Sequence, residues 1–273
     1  MTDTAVQDRV LLSGVPGSPY TRKMLALLRY RRIPYSLILG SHGMAGLPTA
    51  KVSLLPTFYF PGDDGALVAA NDSTPILRRL EREHAGRSAR PSNPALAFLD
   101  ALLEDYGDEW LTKAMFHYRW AYQADIARAS AILPAWRRAQ TSDEVLKAAG
   151  KEVAGRQIPR LRYVGSNEIT GPIIEASYKR FLDAFEAHLR DHAFLLGARP
   201  GAGDFGCYGQ LTQLALFDPT SMAVTEERAP RVFAWTGAVE DLSGLEPTEA
   251  DWFDPTALPE SLKAILAEIG RVY

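Results

Sequence analysis

Two strand-like runs, a turn and the start of a helix follow one another in residues 52–77, which read VSLLPTFYFPGDDGALVAANDSTPIL. Pro56 precedes the apolar run Thr57–Phe60, and the turn residues PGDDG separate it from a second run, Ala66–Ala69. Short apolar runs on either side of a glycine-containing turn are typical of a β-hairpin. The cap-forming residues 71–74 then predict a helix over PILRRLEREH.

The residues before this stretch predict a strand, a helix and a second strand. Arg9–Ser13 and Tyr35–Leu39 are the strand-like runs. Between them, Ser18 is a good N-cap for a helix that has Pro19 at its first position. Residues 40–51 are rich in glycine and predict an irregular segment. The whole order predicts an α/β domain with a mixed four-stranded sheet and helices on its faces.

The remaining residues predict a second, all-helical domain. Residues 87–94 are polar and proline-rich, as in a linker, so we divide the chain into domains over 1–86 and 95–273. Residues 140–172 are interpreted as a helix followed by an extended loop. Apolar residues at helical spacing predict helices over Ala95–Tyr122, Glu175–His192, Phe205–Phe217, Arg231–Leu242 and Glu260–Ile269.

Composition argues against several classes of function. The 30 Lys and Arg residues against 33 Asp and Glu give a net charge of -3, which disfavours a dedicated nucleic-acid binder. The N-terminal residues lack the apolar segment of a signal peptide, and no apolar run approaches the roughly 18 residues of a membrane span. The single cysteine, Cys207, excludes an intrachain disulfide. We therefore expect a cytoplasmic protein with no membrane or nucleic-acid partner.

Two other types of site are not supported by the sequence. His188 and His192 lie four residues apart on a predicted helix, but no third ligand is evident nearby, so we predict no metal site. The glycine-containing residues 14–18 lack the lysine of a phosphate-binding loop, which argues against nucleotide binding.

Four segments resemble the glutathione transferase superfamily in the expected order and at the expected separations. They are LLSGVPGSPYTRKMLALL (11–28), VSLLPTFYF (52–60), DGALVAANDSTPIL (64–77) and FLLGARPGAGDFGCYGQL (194–211). The resemblance implies a thioredoxin-like first domain and an all-helical second domain. It also implies glutathione as co-substrate, a homodimer and a role in detoxification.

The resemblance also implies a glutathione site around Pro56, whose peptide bond would be cis. The backbone of Leu55 would pair with the extended tripeptide like a short antiparallel strand. The Ser73 hydroxyl and the free N–H groups at the helix start suit the γ-glutamyl carboxylate, and Asp72 suits the α-ammonium group. Taken singly, Asp72 and Ser73 are also ordinary helix caps, and Pro56 is also an ordinary edge-strand proline.

Ser18 is the candidate for activating the glutathione thiol. Free N–H groups and the helix dipole favour an anion at a helix N-terminus, and a hydroxyl that donates to the sulfur would stabilise the thiolate. Family members with serine or cysteine just before this proline use that residue, and serine indicates the transferase type. Tyr20 is the rival hydroxyl, and Ser18 acting only as an N-cap is the plain alternative.

We expect a pocket for the electrophile between the two domains, where ligand clefts commonly lie. Core packing of an amphipathic helix is the alternative for each candidate on the helix after the linker. The surplus length relative to the family falls largely in residues 118–172, which would cover the cleft or enlarge a dimer contact. The candidate lining residues are Tyr20, Tyr106, Trp110, Met115, Phe116 and Tyr118.

The sequence thus predicts a glutathione transferase that joins the glutathione thiolate to a small hydrophobic electrophile. One alternative is a non-catalytic member of the same fold that acts in protein binding. Another is a glutathione-dependent peroxidase or isomerase that uses the same site.

Overall fold

The computed structural model describes residues 9–39 and 46–273. The first domain is a four-stranded sheet in the order β2-β1-β3-β4, in which β1 pairs parallel with β2 and the other pairs are antiparallel. This confirms the predicted mixed sheet of a thioredoxin-like α/β domain. Its elements are β1 Val10–Gly14, α1 Pro19–Tyr30, β2 Tyr35–Leu39, β3 Thr57–Pro61, β4 Leu67–Ala70 and α2 Ser73–Glu83.

The predicted irregular segment 40–51 lies partly outside the described residues. Residues 40–45 belong to that part, and residues 46–51 contain neither helix nor strand. Between α2 and the next helix, residues 84–93 likewise contain neither.

The second domain is helical, as predicted. Within residues 9–39 and 46–273, no helix is both long and apolar enough to cross a membrane. The helices of this domain are α3 Pro94–Asp105, α4 Leu111–Ala121, α5 Gln123–Arg137, α6 Asp143–Gln157, α7 Gly171–His188, α8 Ala202–Leu214, α9 Pro219–Arg228, α10 Pro230–Ala238 and α11 Glu260–Val272.

One apolar core runs through both domains and holds the start of α1 against the second domain. Leu12, Met24 and Phe58 contribute to it from the sheet side, and α8 is buried along its whole length. α8 lies against α1 so closely that a Cβ on Gly209 would be 2.7 Å from the carbonyl oxygen of Pro19. Only glycine fits such an approach, so the position of α1 is fixed by the helical domain.

The helix predicted over Ala95–Tyr122 is present, but it is not α-helical at its centre. A π-helical turn, Tyr106–Trp110, separates α3 from α4. Gly107 in this turn lies directly against α8, where a Cβ would be 2.6 Å from the backbone nitrogen of Cys207. A π turn inserts one residue and redirects the side chains around it. Here Asp108 and Glu109 face the first domain.

The residues after α4 also differ from the prediction. Helices α5 and α9 were not predicted, because neither carries its apolar residues on a single face and α5 contains Pro134. Residues 140–172 do begin with a helix, α6, but a 3₁₀ helix, Ile158–Val164, follows where an extended loop was expected. A small second apolar cluster, built on Trp120, Ala129 and Phe217, joins α5 and α6 to the rest of the domain.

Candidate active site

The loop before β3 has a backbone N–H group that is not used within the described residues. Its Leu55–Pro56 peptide bond is cis, as the resemblance implies. Asn71 holds the loop, since its Nδ2 donates to the Leu54 carbonyl at 3.1 Å and to Thr57 Oγ1 at 2.9 Å. Among the described residues, the Leu55 N–H has no hydrogen-bond partner. This backbone is therefore able to pair with an extended ligand.

Ser18 connects this loop to the start of α1. The residue is the N-cap of α1, and its Oγ accepts from the Thr21 N–H at 3.2 Å. The same hydroxyl donates to the Leu55 carbonyl at 3.1 Å. Ser18 thus has the cap role that was the plain alternative, and it also lies directly beside the candidate ligand-binding backbone.

The start of α2 lies on the other side of the loop. Asp72 is the N-cap of α2, with a φ of 76°, and its carboxylate accepts from the Thr74 N–H at 3.3 Å. A positive φ at a residue other than glycine costs about 1–3 kcal/mol, and such residues cluster at ligand-binding sites. Ser73 follows as the first helical residue and is buried.

A buried charge cluster supports Ser73 from below, and the sequence analysis missed it. Lys23 is completely buried, and its Nζ donates to Ser73 Oγ at 3.2 Å and to Glu104 Oε1 at 2.8 Å. It also pairs with Asp108. Burial lowers the pKa of Lys23, but the charges of Asp108 and Glu104 outweigh that effect and raise it above the usual value. The ammonium group therefore remains charged.

Asp108 has a different balance of effects. Burial raises its pKa to about 6, although the Lys23 charge opposes the shift. One oxygen, Oδ1, is buried and has no hydrogen-bond partner among the described residues. The sequence did carry a signal for this cluster, since Lys23 lies at helical spacing with Leu27 and Tyr30 on the buried face of α1. A charge on an apolar face needs a partner.

These groups surround a cavity of about 350 Å³ between the domains, which we call the acid-lined cavity. All four predicted glutathione-binding residues line it. Its lining is Tyr20, Leu54, Leu55, Pro56, Asp72, Ser73, Thr74, Asp108 and Glu109.

A second cavity, of about 200 Å³, lies next to Ser18 and also touches Leu55. We call it the arginine-lined cavity. Helices α5 and α6, within the segment 118–172, contribute part of its wall. Its lining is Val15, Gly17, Ser18, Pro19, Leu55, Met115, Phe116, Arg119, Trp120, Leu133, Arg137, Val153, Arg156 and Gln157.

Of the residues predicted for the electrophile pocket, Met115 and Phe116 line the cavity beside Ser18. Tyr106 instead packs in the core, with its ring 5.6 Å from that of Phe181, and Tyr118 is also buried in the core. Trp110 donates from Nε1 to Ser177 Oγ at 3.0 Å. None of Tyr106, Trp110 and Tyr118 lines either of the two cavities, so the core alternative describes their placement.

Tyr20 lines the acid-lined cavity, but its hydroxyl is engaged with the second domain. The hydroxyl donates to the Asp108 carbonyl at 2.8 Å and lies 2.9 Å from Thr112 Oγ1. Burial raises its pKa well above the ordinary value. A phenol in this environment is a poor source of negative charge and links the domains.

Comparison with protein families gives a match for two parts of the chain. Residues 12–88 match the family model described as the glutathione S-transferase N-terminal domain. Residues 134–238 match the model of the glutathione S-transferase C-terminal domain. The chain belongs to the glutathione transferase superfamily. The four sequence segments and the two-domain fold agree with this membership.

Solved glutathione transferase structures resemble the chain at low sequence identity. A family member from Pseudomonas fluorescens with two glutathione bound is 15% identical, with a TM-score of 0.50, and the match covers 86% of this chain and 90% of that one. A glutathione S-transferase from Methylobacterium radiotolerans in complex with glutathione sulfonate is 18% identical, with a TM-score of 0.49, covering 85% and 90%. At this identity the likeness concerns the fold. A search of curated proteins gives no match.

Proposed function

We propose that the chain binds glutathione in the acid-lined cavity and transfers its thiolate to a small electrophile in the arginine-lined cavity. One observation carries this proposal: Leu55 lines both cavities, and the Ser18 hydroxyl lies 3.1 Å from its carbonyl. A tripeptide paired with Leu55 would have one end in the first cavity and its sulfur near the second. Glutathione in the related Pseudomonas fluorescens structure supports the ligand.

The γ-glutamyl end fits the groups at the start of α2. Lys23 donates to Ser73 Oγ, so the Ser73 hydroxyl hydrogen is left to donate to the ligand carboxylate. The positive charge of Lys23, the Ser73 N–H and the dipole of α2 favour the same carboxylate. Asp72 and the unpartnered Oδ1 of Asp108 are acceptors for the α-ammonium group.

Thiol activation follows from an exchange of hydrogen bonds at Leu55. The Leu55 carbonyl accepts from the Ser18 hydroxyl. When the cysteinyl N–H of glutathione donates to that carbonyl, the Ser18 hydroxyl is free to turn toward the sulfur. Donation to a charged acceptor contributes about 1.5–3 kcal/mol, and the helix dipole adds about 0.3–1 kcal/mol. Both interactions stabilise the thiolate. The proton of the thiol goes to solvent.

The surroundings of the two hydroxyls support Ser18 over Tyr20 as the activating group. Ser18 is half-buried and lines the arginine-lined cavity, whereas the Tyr20 hydroxyl already donates to the backbone carbonyl of Asp108. The bound thiolate would then attack the electrophile to form the C–S bond. The chain contributes binding, orientation and thiolate stabilisation rather than a covalent intermediate.

The proposal includes a homodimer in the cytoplasm with a role in detoxification. Val68 on the edge strand β4 is 55% exposed, Leu54 in the loop before β3 is 54% exposed, and Phe98 on α3 is 67% exposed. Apolar side chains on both domains suit a two-fold pair in which the sheet domain of each chain meets the helical domain of the other. Light scattering that gave the 30.1 kDa of one chain at micromolar concentration would exclude this dimer.

Titration calorimetry with glutathione tests the proposed site. We expect binding that weakens about tenfold in Ser73→Ala, because the variant loses a hydrogen bond to a charged group. Ser92→Ala is the matched control, since Ser92 is exposed and bonds Glu249 instead. A conjugation assay on the intact chain then tests transfer. Absence of binding at millimolar glutathione would exclude the proposed function.

A further inference from the structure

We propose that the electrophile carries a carboxylate or sulfonate group, which Arg137 and Arg156 bind at the arginine-lined cavity. This inference rests on the proposed function and deepens it by giving the chemical class of the second substrate. The cavity holds three arginines, on α4, α5 and α6, and they differ in how their charges are used.

The guanidinium of Arg119 is already satisfied within the chain. Its Nε donates to Asp218 Oδ1 at 2.9 Å, and one terminal nitrogen donates to Gln213 Oε1 at 2.7 Å. The other terminal nitrogen donates to the Gly17 carbonyl at 3.3 Å. Arg119 is buried and Asp218 neutralises it, so this residue positions the Gly17 loop and is not available to a ligand.

Arg137 and Arg156 are in a different situation. Both are exposed, and across residues 9–39 and 46–273 neither has a carboxylate within ion-pair distance or a side-chain hydrogen bond. Some other exposed arginines of the helical domain are paired, such as Arg228 with Asp183 and Arg231 with Glu186. Exposed arginines away from this cavity, such as Arg138 and Arg190, also have no ion pair within the described residues, so it is the position of Arg137 and Arg156 at one cavity that sets them apart. Two unpaired guanidinium groups on neighbouring helices at one cavity favour an anionic ligand.

The rest of the cavity suits an apolar molecular body. Phe116, Trp120 and Leu133 line it together with Met115. A cavity of about 150 Å³ lined by apolar side chains holds benzene, so about 200 Å³ holds one substituted ring. Because Ser18 borders the same space, a ring bound there would have its reactive carbon near the activated sulfur.

A matched pair of chloronitroarenes tests the inference. In 4-chloro-3-nitrobenzoate the thiolate sulfur forms a bond to the ring carbon that bears chlorine, and the C–Cl bond breaks with its electron pair leaving as chloride. The thiol proton goes to solvent. In 4-chloro-3-nitrobenzamide a neutral amide of similar size replaces the carboxylate. Dividing each kcat/KM by the uncatalysed rate with glutathione removes the difference in intrinsic reactivity.

We expect the intact chain to prefer the carboxylate by about 3- to 30-fold, as two partly exposed ion pairs allow. The double variant Arg137→Gln/Arg156→Gln should lose this preference while its KM for glutathione stays unchanged. Salt at about 0.5 M should reduce the preference of the intact chain, because exposed charges are screened. Arg138→Gln is the matched control, since Arg138 is exposed, adjacent to Arg137 and outside the cavity lining.

Equal rates with the two arenes, or an unchanged preference in the double variant, would overturn the inference and leave the proposed function intact. A raised KM for glutathione in the double variant would also overturn it, since the arginines would then bind the glycine carboxylate of the tripeptide. Calorimetry with the two S-aryl glutathione conjugates measures the same preference as a difference in binding affinity, without turnover. If the carboxylate conjugate binds no more tightly than the amide conjugate, the inference fails even where glutathione itself binds.

Discussion

The two cavities that meet at Leu55 are built from different parts of the chain and differ in the sign of their charge. The acid-lined cavity has Asp72, Asp108 and Glu109 in its wall and is anchored by buried ion pairs between the domains. The arginine-lined cavity is bounded partly by α5 and α6, and it has Arg137 and Arg156 in its wall, which have no ion pair within residues 9–39 and 46–273. In the proposed function this difference separates two tasks: one region would hold the tripeptide, and the other would select its reaction partner.

The largest effect is expected at the buried ion pairs of the first region. Lys23→Met would leave the carboxylates of Glu104 and Asp108 buried without a counter-charge. Removing one partner of a buried pair costs about 3–5 kcal/mol. The free energy of unfolding, measured by urea denaturation at neutral pH, should fall by this amount.

The control for this change is Lys179→Met, which removes a half-buried lysine 3.8 Å from Glu175 and should cost less than about 1 kcal/mol. The deficit of Lys23→Met should shrink as the pH falls, because the buried carboxyl groups then become neutral in the folded variant. A loss as small as that of the control would contradict the assignment of Lys23 as the anchor of this region.

The next largest effect is expected at Ser18, which borders the second cavity. Ser18→Ala should lose turnover by about 10- to 1000-fold, by analogy with donors that stabilise an oxyanion. Its affinity for glutathione should change little, because an interaction with the reacting thiolate acts on reactivity more than on binding. Steady-state conjugation rates and calorimetry measure the two quantities separately.

Two variants control for the cap role of Ser18 and for the rival hydroxyl. Ser18→Thr keeps both a hydroxyl and a cap and should retain most of the activity. Tyr20→Phe should lower the conjugation rate much less than Ser18→Ala does. If Tyr20→Phe lost activity while Ser18→Ala kept normal activity, Tyr20 and not Ser18 would be the group that activates the thiol.

The pH dependence of glutathione binding tests the role of Asp108 in the acid-lined cavity. Burial raises the pKa of Asp108 to about 6, and only its ionised form accepts from the α-ammonium group with a full charge. Protonation therefore removes binding as the pH falls through this pKa. The dissociation constant should rise about tenfold between pH 7 and 5.

Asp108→Asn should bind more weakly at neutral pH and lack this step. Asp105→Asn is the control, because Asp105 is exposed and bonds the Tyr273 hydroxyl. The same pH profile in Asp108→Asn and in the intact chain would remove Asp108 from the glutathione site.

The smallest effect is expected where α5 meets the Gly17 loop. A Cβ on Gly17 would collide with the Leu133 side chain and lie 2.9 Å from the Trp136 ring. Gly17→Ala should therefore shift α5, cost about 1–3 kcal/mol and raise the KM of the electrophile several-fold without changing glutathione affinity. Gly155→Ala on α6 meets no atom within 4 Å and should stabilise the chain by about 0.5–1 kcal/mol. Equal effects of the two changes would show that this contact does not shape the second cavity.

The same two regions differ in how far the sequence alone predicts them. Pro56, Asp72 and Ser73 lie in short patterns of turn, strand and cap residues, which the resemblance to a known family joined into one site. Lys23 and Asp108 are 85 residues apart and meet only through the packing of α1 on the helical domain and the π turn. The spacing of apolar residues within a single helix does not predict a contact between two distant helices.

The second cavity was less predictable for a related reason. Helix α5 divides its apolar contacts between α6 and the Gly17 loop, so its sequence lacks the single apolar face that marks a helix. Arg137 and Arg156 are exposed and look like ordinary solvated charges in the sequence. Phe116 and Met115 were predicted as lining residues, but the π turn shifts the helix phase, and Tyr106 and Trp110 face elsewhere.

The ionisation of bound glutathione tests the central claim most directly. Thiolate absorbance, followed against pH, gives the pKa of the bound thiol, which is near 8.5 for an ordinary cysteine. The hydrogen bond from Ser18 should lower it by at least about one unit in the intact chain, and Ser18→Ala should return it toward the free value while the tripeptide remains bound. A bound thiol that titrates like free glutathione, or that titrates identically in Ser18→Ala, would contradict the account.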